Sequence, residues 1–127
     1  MKIAVIGAGA SGYMAAITAK EFNMNSDISI FEKSEKSLSK VKVSGGGRCN
    51  VTNATFSNAQ LIKNYPRGGK ELKKSFSIFN ANHTVDWFKN RGVELKTEDD
   101  NRMFPTTNNS QTIIDVLQNT AKELNIN

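Results

Sequence analysis

The feature that most constrains the fold of this chain is a glycine-rich turn set between an apolar run and an amphipathic stretch. Lys2–Ile6 is a β-branched run that predicts a buried strand. From Met14 to Phe22 the apolar residues recur with helical spacing, and Ile28–Phe31 predicts a second strand. A strand, a helix and a strand within about thirty residues predict a βαβ unit with parallel strands and a right-handed crossover. The turn between the first strand and the helix consists of Gly7, Ala8, Gly9, Ala10, Ser11 and Gly12.

This turn matches G-x-G-x-x-G in the context that dinucleotide-binding folds require, because it follows a predicted strand and opens a predicted helix. Gly7 permits the tight turn, Gly9 leaves room for a pyrophosphate near the backbone, and Gly12 allows close packing of helix on strand. Glu32, twenty residues after Gly12, is expected to accept hydrogen bonds from ribose hydroxyls. Its charge would repel a 2′-phosphate, which argues against NADP at this site. A glycine-rich turn without a ligand is the alternative.

The rest of the chain predicts a functional loop, three helices, a small β-hairpin around an acidic turn, and a last helix. The third helix is expected to begin at Asn82 or Thr84. The fold class is therefore α/β: a Rossmann-like βαβ dinucleotide-binding unit with an incomplete parallel sheet, followed by helices and a small β-hairpin. Two parallel strands do not make a full sheet, so we expect the sequence to be the front of a longer protein. Residues 33–58 are expected to form the irregular, functional loop. The three helical patterns lie at 61–62, 72–79 and 85–88, the hairpin at 93–104 and the last helix at 113–124.

Composition limits the classes of protein that remain. The 127 residues carry a net charge of +5, and residues 33–74 hold 10 Lys and Arg against 2 Asp and Glu, a net +8. Such a segment favours an anionic partner, either a phosphate-bearing cofactor or a nucleic acid, unless it is only solvated. No apolar run could span a bilayer and no secretory signal is visible, so no membrane partner is expected. The single Cys49 excludes an internal disulfide, and a reducing cytoplasm is the expected location.

A second glycine cluster, Ser44–Asn53, is the least ordinary stretch of the sequence. Its three consecutive glycines cost conformational entropy on folding, so a chain retains them where the backbone must approach something closely or adopt positive φ. Contact with a ligand is the interpretation we favour, and a flexible surface loop is the alternative. Cys49 is expected to be a packing residue more than a redox group.

No metal site is expected, because the only histidine, His83, is interpreted as a surface or capping residue at a helix start. Glu98, Asp99 and Asp100 are adjacent acids that are interpreted as a solvated turn. Trp87 and Phe88 are expected in the core.

Six segments run in order through the chain: GAGASG, ISIFEK, KVKVSGGGRCNVTN, NYPRGGKEL, WFKNRGVELKTEDDNRMFP and SQTIIDVL. Together they resemble the HI0933-like flavoproteins, also described as the BaiN/RdsA-type family of NAD(P)/FAD-dependent oxidoreductases. Members of that family are much longer and have a two-part FAD-binding domain interrupted by an inserted domain. The resemblance implies that residues 1–127 are the N-terminal part of this FAD-binding domain.

The resemblance also implies a role for individual residues. Gly7–Gly12 match the loop at the FAD pyrophosphate, Glu32 matches the ribose-binding acid, and Lys33 is placed near the adenine side. Relatives carry a Gly-Arg pair where this chain has Leu38-Ser39. Lys40 and the second glycine cluster are expected along the pyrophosphate and the isoalloxazine. The residues of that cluster which match are Ser44, Gly45, Gly46, Gly47, Arg48, Cys49 and Asn50.

The favoured function is thus the FAD-binding N-terminal segment of a flavin-dependent oxidoreductase. Its small-molecule substrate is unidentified, its catalytic residues are unassigned, and NAD(P)H is one candidate electron donor for the full-length protein. A first alternative is a non-catalytic fragment, because two or three hydrogen bonds from the turn barely match the cost of association. A second, less favoured, is a nucleic-acid-binding module using residues 33–74, which contain no recognised binding motif and few aromatic residues.

Overall fold

The computed structural model describes all residues 1–127 and divides into two compact units. Unit 1 comprises Met1–Cys49 and Asn109–Asn127, whereas unit 2 is the continuous segment Asn50–Asn108. In chain order the elements are β1 (Lys2–Ile6), α1 (Ala10–Phe22), β2 (Asp27–Phe31), α2 (Ser39–Gly47), β3 (Thr52–Asn53), α3 (Asn58–Leu61), a 3-10 helix (Ile62–Asn64), α4 (Gly69–Ile78), α5 (Ala81–Lys89), β4 (Leu95–Thr97), β5 (Arg102–Pro105) and α6 (Ser110–Glu123).

The first half of unit 1 is the βαβ unit that the sequence predicts. β1 and β2 pair in parallel along their whole length, from Lys2 opposite Asp27 to Ile6 opposite Phe31. The crossover between them is α1, which packs on both strands and on α6. The fold class is therefore confirmed: a parallel Rossmann-like unit with helices, accompanied by a small antiparallel sheet.

The edge of β2 that does not face β1 also carries backbone hydrogen bonds. The N–H of Asn127 donates to the carbonyl of Ile28 at 2.9 Å, and the N–H of Ile30 donates to the carbonyl of Asn127 at 2.6 Å. One residue, Asn127, thus bonds through its N–H and its carbonyl to two residues of β2 that are two positions apart. This is the hydrogen-bond pattern of a parallel pair of strands. The connection from β2 through α6 therefore returns the chain to the same sheet, parallel to β2.

The expectation that β1 is a fully buried strand is wrong. Its side chains alternate between exposed and half-buried, and Ile6 is 82% exposed. The reason is that the helices of unit 1 cover one face of the two-stranded sheet, where Ile28 of β2 and Ile17 of α1 are completely buried. The hydrophobic run alone does not say how many faces are covered.

The expectation that residues 33–58 are irregular throughout is wrong as well. Ser39–Gly47 form α2, which packs on α6. The hydroxyl of Ser110 donates to the carbonyl of Lys42 at 2.8 Å and fixes the start of α6 against this segment. Within the segment, Ser44 leaves helical geometry and two glycines adopt left-handed φ, so its second half is a kinked turn.

Unit 2 joins three helices to a three-stranded antiparallel sheet ordered β3-β5-β4. β4 and β5 form the predicted hairpin, with Asn101 at φ +64° in its turn, and β3 adds a short third strand that the sequence analysis missed. Trp87 and Phe88 lie in the core as expected. None of the helices in either unit combines the length and the apolar character needed to cross a membrane.

The start of α5 differs from the predicted one. Its N-cap is Asn80, whose Oδ1 accepts from the N–H of His83 at 3.2 Å, while Nδ1 of His83 accepts from the N–H of Asn80 at 3.2 Å. This reciprocal pair is a capping box with a histidine in the position that usually holds Glu or Gln. The interpretation of His83 as a capping residue is confirmed, whereas Asn82 and Thr84 are not the N-cap.

Candidate functional site

The glycine turn lies at the carboxyl end of β1, where its first residue leaves the strand. Gly7 has φ +102°, a conformation that glycine adopts without steric cost, and its N–H donates to the carbonyl of Phe31 at 2.7 Å. This bond extends the ladder between the strands by one step, so the turn begins beside the end of β2. The chain then reverses into α1, whose N-cap is Gly9.

The other two glycines of the motif have different surroundings. A Cβ added at Gly12 would lie 1.9 Å from the carbonyl oxygen of Gly7, so only glycine allows the helix to approach the turn this closely. A Cβ added at Gly9 would have no atom within 4 Å. Gly12 therefore serves packing, whereas Gly9 keeps the outer face of the turn open.

The N-terminus of α1 is suited to an anion. Gly9 supplies no side chain to cap the helix, and the first turn contains no acidic residue. Intrahelical bonding begins with the N–H of Tyr13, which donates to the carbonyl of Gly9 at 3.0 Å. The preceding amides at the start of a helix have no intrahelical partner and carry a partial positive charge. The open face at Gly9 adjoins these amides.

Glu32 follows β2 and its carboxylate turns back to the glycine turn. Oε2 accepts from the N–H of Ala8 at 2.9 Å. Oε1 accepts from the N–H of Ser34 at 3.0 Å and from its hydroxyl at 2.9 Å. These donors, led by the N–H of Ser34, lower the pKa of the exposed Glu32 carboxyl from 4.5 to about 2. The side chain is thus fully ionised at neutral pH.

A cavity of about 530 Å³ opens beside this carboxylate within unit 1. Ala8, Tyr13 and Glu32 line it on one side, and Gln118 and Lys122 of α6 on the other. The cavity is large enough for a nucleoside, and its lining includes one of the turn residues and the acid. Lys33, which the resemblance places near an adenine, is exposed next to Glu32.

The turn is also tied to the start of α2. The N–H of Leu38 donates to the carbonyl of Ala8 at 2.8 Å, and the Leu38 side chain is buried. Leu38 adopts φ +56°, the left-handed region in which a β-carbon is disfavoured. A glycine takes this conformation freely, whereas leucine adopts it at a cost in strain. Here the burial of the leucine compensates the strain.

The second glycine cluster forms a left-handed turn. Gly45, Gly46 and Gly47 have φ of +55°, +67° and +85°, so the three glycines are required by the backbone itself. A Cβ at Gly46 or Gly47 would have no atom within 4 Å. These two positions therefore present bare backbone to their surroundings.

Cys49 closes this turn with φ +62°, and its N–H donates to the carbonyl of Ser44 at 3.0 Å. Its side chain is only 6% exposed, and burial raises the pKa of the thiol. Cys49 therefore packs in unit 1 as a protonated thiol. Lys40 is exposed on α2, Arg48 is half-buried, and Asn50 is the first residue of unit 2.

The structure thus brings together only part of the predicted set. Ala8 and Glu32 are in direct contact, and Gly9–Gly12 lie in the same turn. Sequence reasoning missed Ser34, whose hydroxyl and N–H both bind the Glu32 carboxylate. A serine two residues after an acid is a local signal for such a contact, since Ser side chains bond to near neighbours.

A parallel βαβ unit with a G-x-G-x-x-G turn and an acid after the second strand defines a dinucleotide-binding domain of the Rossmann class. The model of the HI0933-like protein Rossmann domain matches residues 1–127, and the chain belongs to that family. The resemblance drawn from the six sequence segments is thereby confirmed.

A curated relative agrees with this assignment. The chain is 26% identical over 117 residues to a 3-dehydro-bile acid delta(4,6)-reductase of Clostridium scindens. The match covers 92% of this chain and 28% of that protein, so the chain spans less than a third of the length of this relative.

Proposed function

We propose that this chain is the nucleotide-binding N-terminal segment of a flavin-dependent oxidoreductase and that it holds the ADP part of FAD. The observation that carries the proposal is the open face of Gly9 at the start of α1, next to a Glu32 carboxylate that contacts the same turn at Ala8. A diphosphate needs N–H donors and no side chain in its way, and a ribose needs a charged acceptor beside it.

Each group of residues has one part in this proposal. The amides at the N-terminus of α1 bind the diphosphate, and Glu32 accepts from the ribose hydroxyls. Lys33 lies toward the adenine, and Lys40 with Ser44–Cys49 extends toward the isoalloxazine. The left-handed turn at Gly45–Gly47 supports this last part because it presents backbone without side chains. Contact between Asn50 and the cofactor is a prediction that rests on the resemblance alone.

The flavin, when bound, supplies the electron and hydride transfer, so the chain itself contributes binding and orientation. This agrees with a sequence in which no catalytic acid, base or nucleophile stands out. The reductase named among the relatives supports the oxidoreductase class. The substrate of that reductase is not assigned to this chain, because the match covers only 28% of that protein. A cytoplasmic location and NAD(P)H as the electron donor remain predictions.

The proposal is tested by titrating the isotope-labelled chain with ADP and following its amide resonances. We expect weak but saturable binding, with the largest changes at Gly9–Gly12 and at Glu32, because the turn alone supplies few contacts. Glu32→Gln keeps the shape of the side chain and removes its charge, and we expect it to weaken ADP binding about ten-fold.

Glu123→Gln is the matched control, because it makes the same charge change on an exposed residue at the end of α6 that does not line the cavity. It should bind ADP like the unaltered chain. An absence of perturbation at Gly9–Gly12 under saturating ADP would refute the nucleotide site. A protein of native length that purifies without flavin and takes up none would refute the flavin assignment alone.

A further inference from the structure

An exposed glutamate helps recognise a ligand only if its carboxylate is held in one orientation. Glu32 is exposed, and a free glutamate side chain loses considerable rotamer entropy when it is fixed. In this chain the side chain is already fixed by donors on both oxygens. Ala8 holds Oε2, and Ser34 holds Oε1 through two separate groups.

Ser34 supplies more of this orientation than Ala8. Its N–H and its hydroxyl approach the same oxygen, at 3.0 and 2.9 Å, which fixes both the position and the rotation of the carboxylate. The hydroxyl also lies 3.2 Å from the carbonyl of Lys36, but it has a single proton. The charged, closer carboxylate is the stronger acceptor, so the proton is directed to Glu32.

The count of acceptor sites shows what remains for a ligand. An ionised carboxylate offers about four lone-pair sites, two on each oxygen. Ser34 occupies both sites of Oε1, and Ala8 occupies one site of Oε2. The remaining acceptor capacity is mainly on Oε2, the oxygen that faces the glycine turn, where ribose hydroxyls can donate. A 2′-phosphate would bring a second negative charge up to this ionised carboxylate.

We infer that Ser34 is a positioning residue that saturates one oxygen of Glu32 and turns the other toward a ribose hydroxyl. The inference rests on the proposed function and goes beyond it, because it explains how the site selects a nucleotide with a free ribose over one with a 2′-phosphate. The selecting group is Glu32, and Ser34 acts only through it.

The test compares affinities of the chain for ADP and for 2′-deoxy-ADP, measured by amide titration. Ser34→Ala should weaken ADP binding about five-fold, the effect of losing one hydrogen bond of ordinary strength. The same substitution should change the affinity for 2′-deoxy-ADP by no more than about two-fold, because that ligand lacks the hydroxyl that donates to the positioned oxygen. Ser34→Thr retains the hydroxyl and should restore ADP binding. Ser39→Ala, at an exposed serine of the same unit, is the control and should change neither affinity.

A second readout separates positioning from a structural role. In the Glu32→Gln background, Ser34→Ala should have no further effect on ADP affinity, because its route of action has been removed. Equal weakening of both ligands, or additive effects of the two substitutions, would overturn the inference and leave the nucleotide site intact. Failure of the unaltered chain to bind ADP at all would instead refute the proposed function, and this inference with it.

Discussion

Gly9 and Gly12 belong to one turn, yet a methyl group added to each would meet different surroundings. At Gly12 it would overlap the carbonyl oxygen of Gly7, and at Gly9 it would point into open space. The motif therefore combines a packing requirement with a ligand requirement. Stability and binding should separate when the two positions are substituted one at a time.

Gly12→Ala should destabilise unit 1 by about 3 kcal/mol, because the clash is with backbone that cannot move aside without disturbing the strand pairing. Gly9→Ala should cost no more than about 1 kcal/mol, since φ at Gly9 is −89° and alanine is only a poorer N-cap. The second variant should nevertheless lose ADP binding. Urea unfolding and amide titration on both variants provide the measurement. Equal stability losses would contradict this division of roles.

The Glu32 carboxylate should also make the chain sensitive to acid. Its pKa lies near 2 in the folded state and near the ordinary 4.5 when the chain unfolds. The contribution of this group to stability is therefore present above pH 4.5 and is lost as the pH falls from 4.5 toward 2. Urea midpoints across this range should fall more steeply for the unaltered chain than for Glu32→Gln. Parallel curves would show that the donors on Glu32 contribute nothing to folding, and Glu123→Gln provides the control for charge.

At the scale of residues, the sequence predicts the glycine turn and the packing role of Gly12, which the structure shows, because both follow from a spaced motif. The ligand roles of Gly9 and Glu32 stay predictions. The sequence does not predict Ser34, because a hydrogen bond from a serine to its neighbour leaves no periodic trace. Nor does it predict the left-handed φ of Leu38, whose strain is compensated because the side chain is buried, with 2% of its surface exposed. Both depend on where the backbone goes after β2, and that is decided by packing.

At the scale of elements, α5 offers a clear test of what begins a helix. Asn80→Ala removes the oxygen that caps the N–H of His83 and the bond from Nδ2 of Asn80 to Asn58, and it should cost about 1–2 kcal/mol. Asn82→Ala changes an exposed residue two positions further along the chain and should stay within about 0.5 kcal/mol. Thermal unfolding of both variants distinguishes the two candidate caps. A larger loss for the second variant would restore the cap that the sequence indicates.

Long periodic elements are predicted best. α6 has a clear apolar period, and the predicted positions of α1, α6 and the β4–β5 hairpin agree with the structure. α2 escapes prediction because three glycines and two serines give it no helical preference, and its geometry changes within a few residues. β3 is two residues long and is defined only by its partner β5, so no local pattern could reveal it.

At the scale of the whole molecule, the basic segment can be tested against nucleic acid. Five of its ten positive side chains lie on α2 in unit 1 or on α4 in unit 2, and the segment is rich in glycines and polar residues rather than in stacking aromatics. We expect no retardation of single-stranded or duplex DNA or RNA in gels at physiological ionic strength. A salt-dependent shift that survives these conditions would revive the nucleic-acid alternative.

The division of unit 1 into two separated stretches of chain sets an order of events on the ribosome. β1, α1 and α2 emerge first, but their packing partner α6 is translated only after all of unit 2. Unit 2 depends on contacts within one continuous segment and can therefore fold before α6 has been translated. Its collapse shortens the span that α6 must close and lowers the entropy lost in doing so. The packing of α6 on α1 and α2 should thus be among the last contacts to form in a nascent chain, whereas the partners of the nucleotide turn all lie within the first 38 residues.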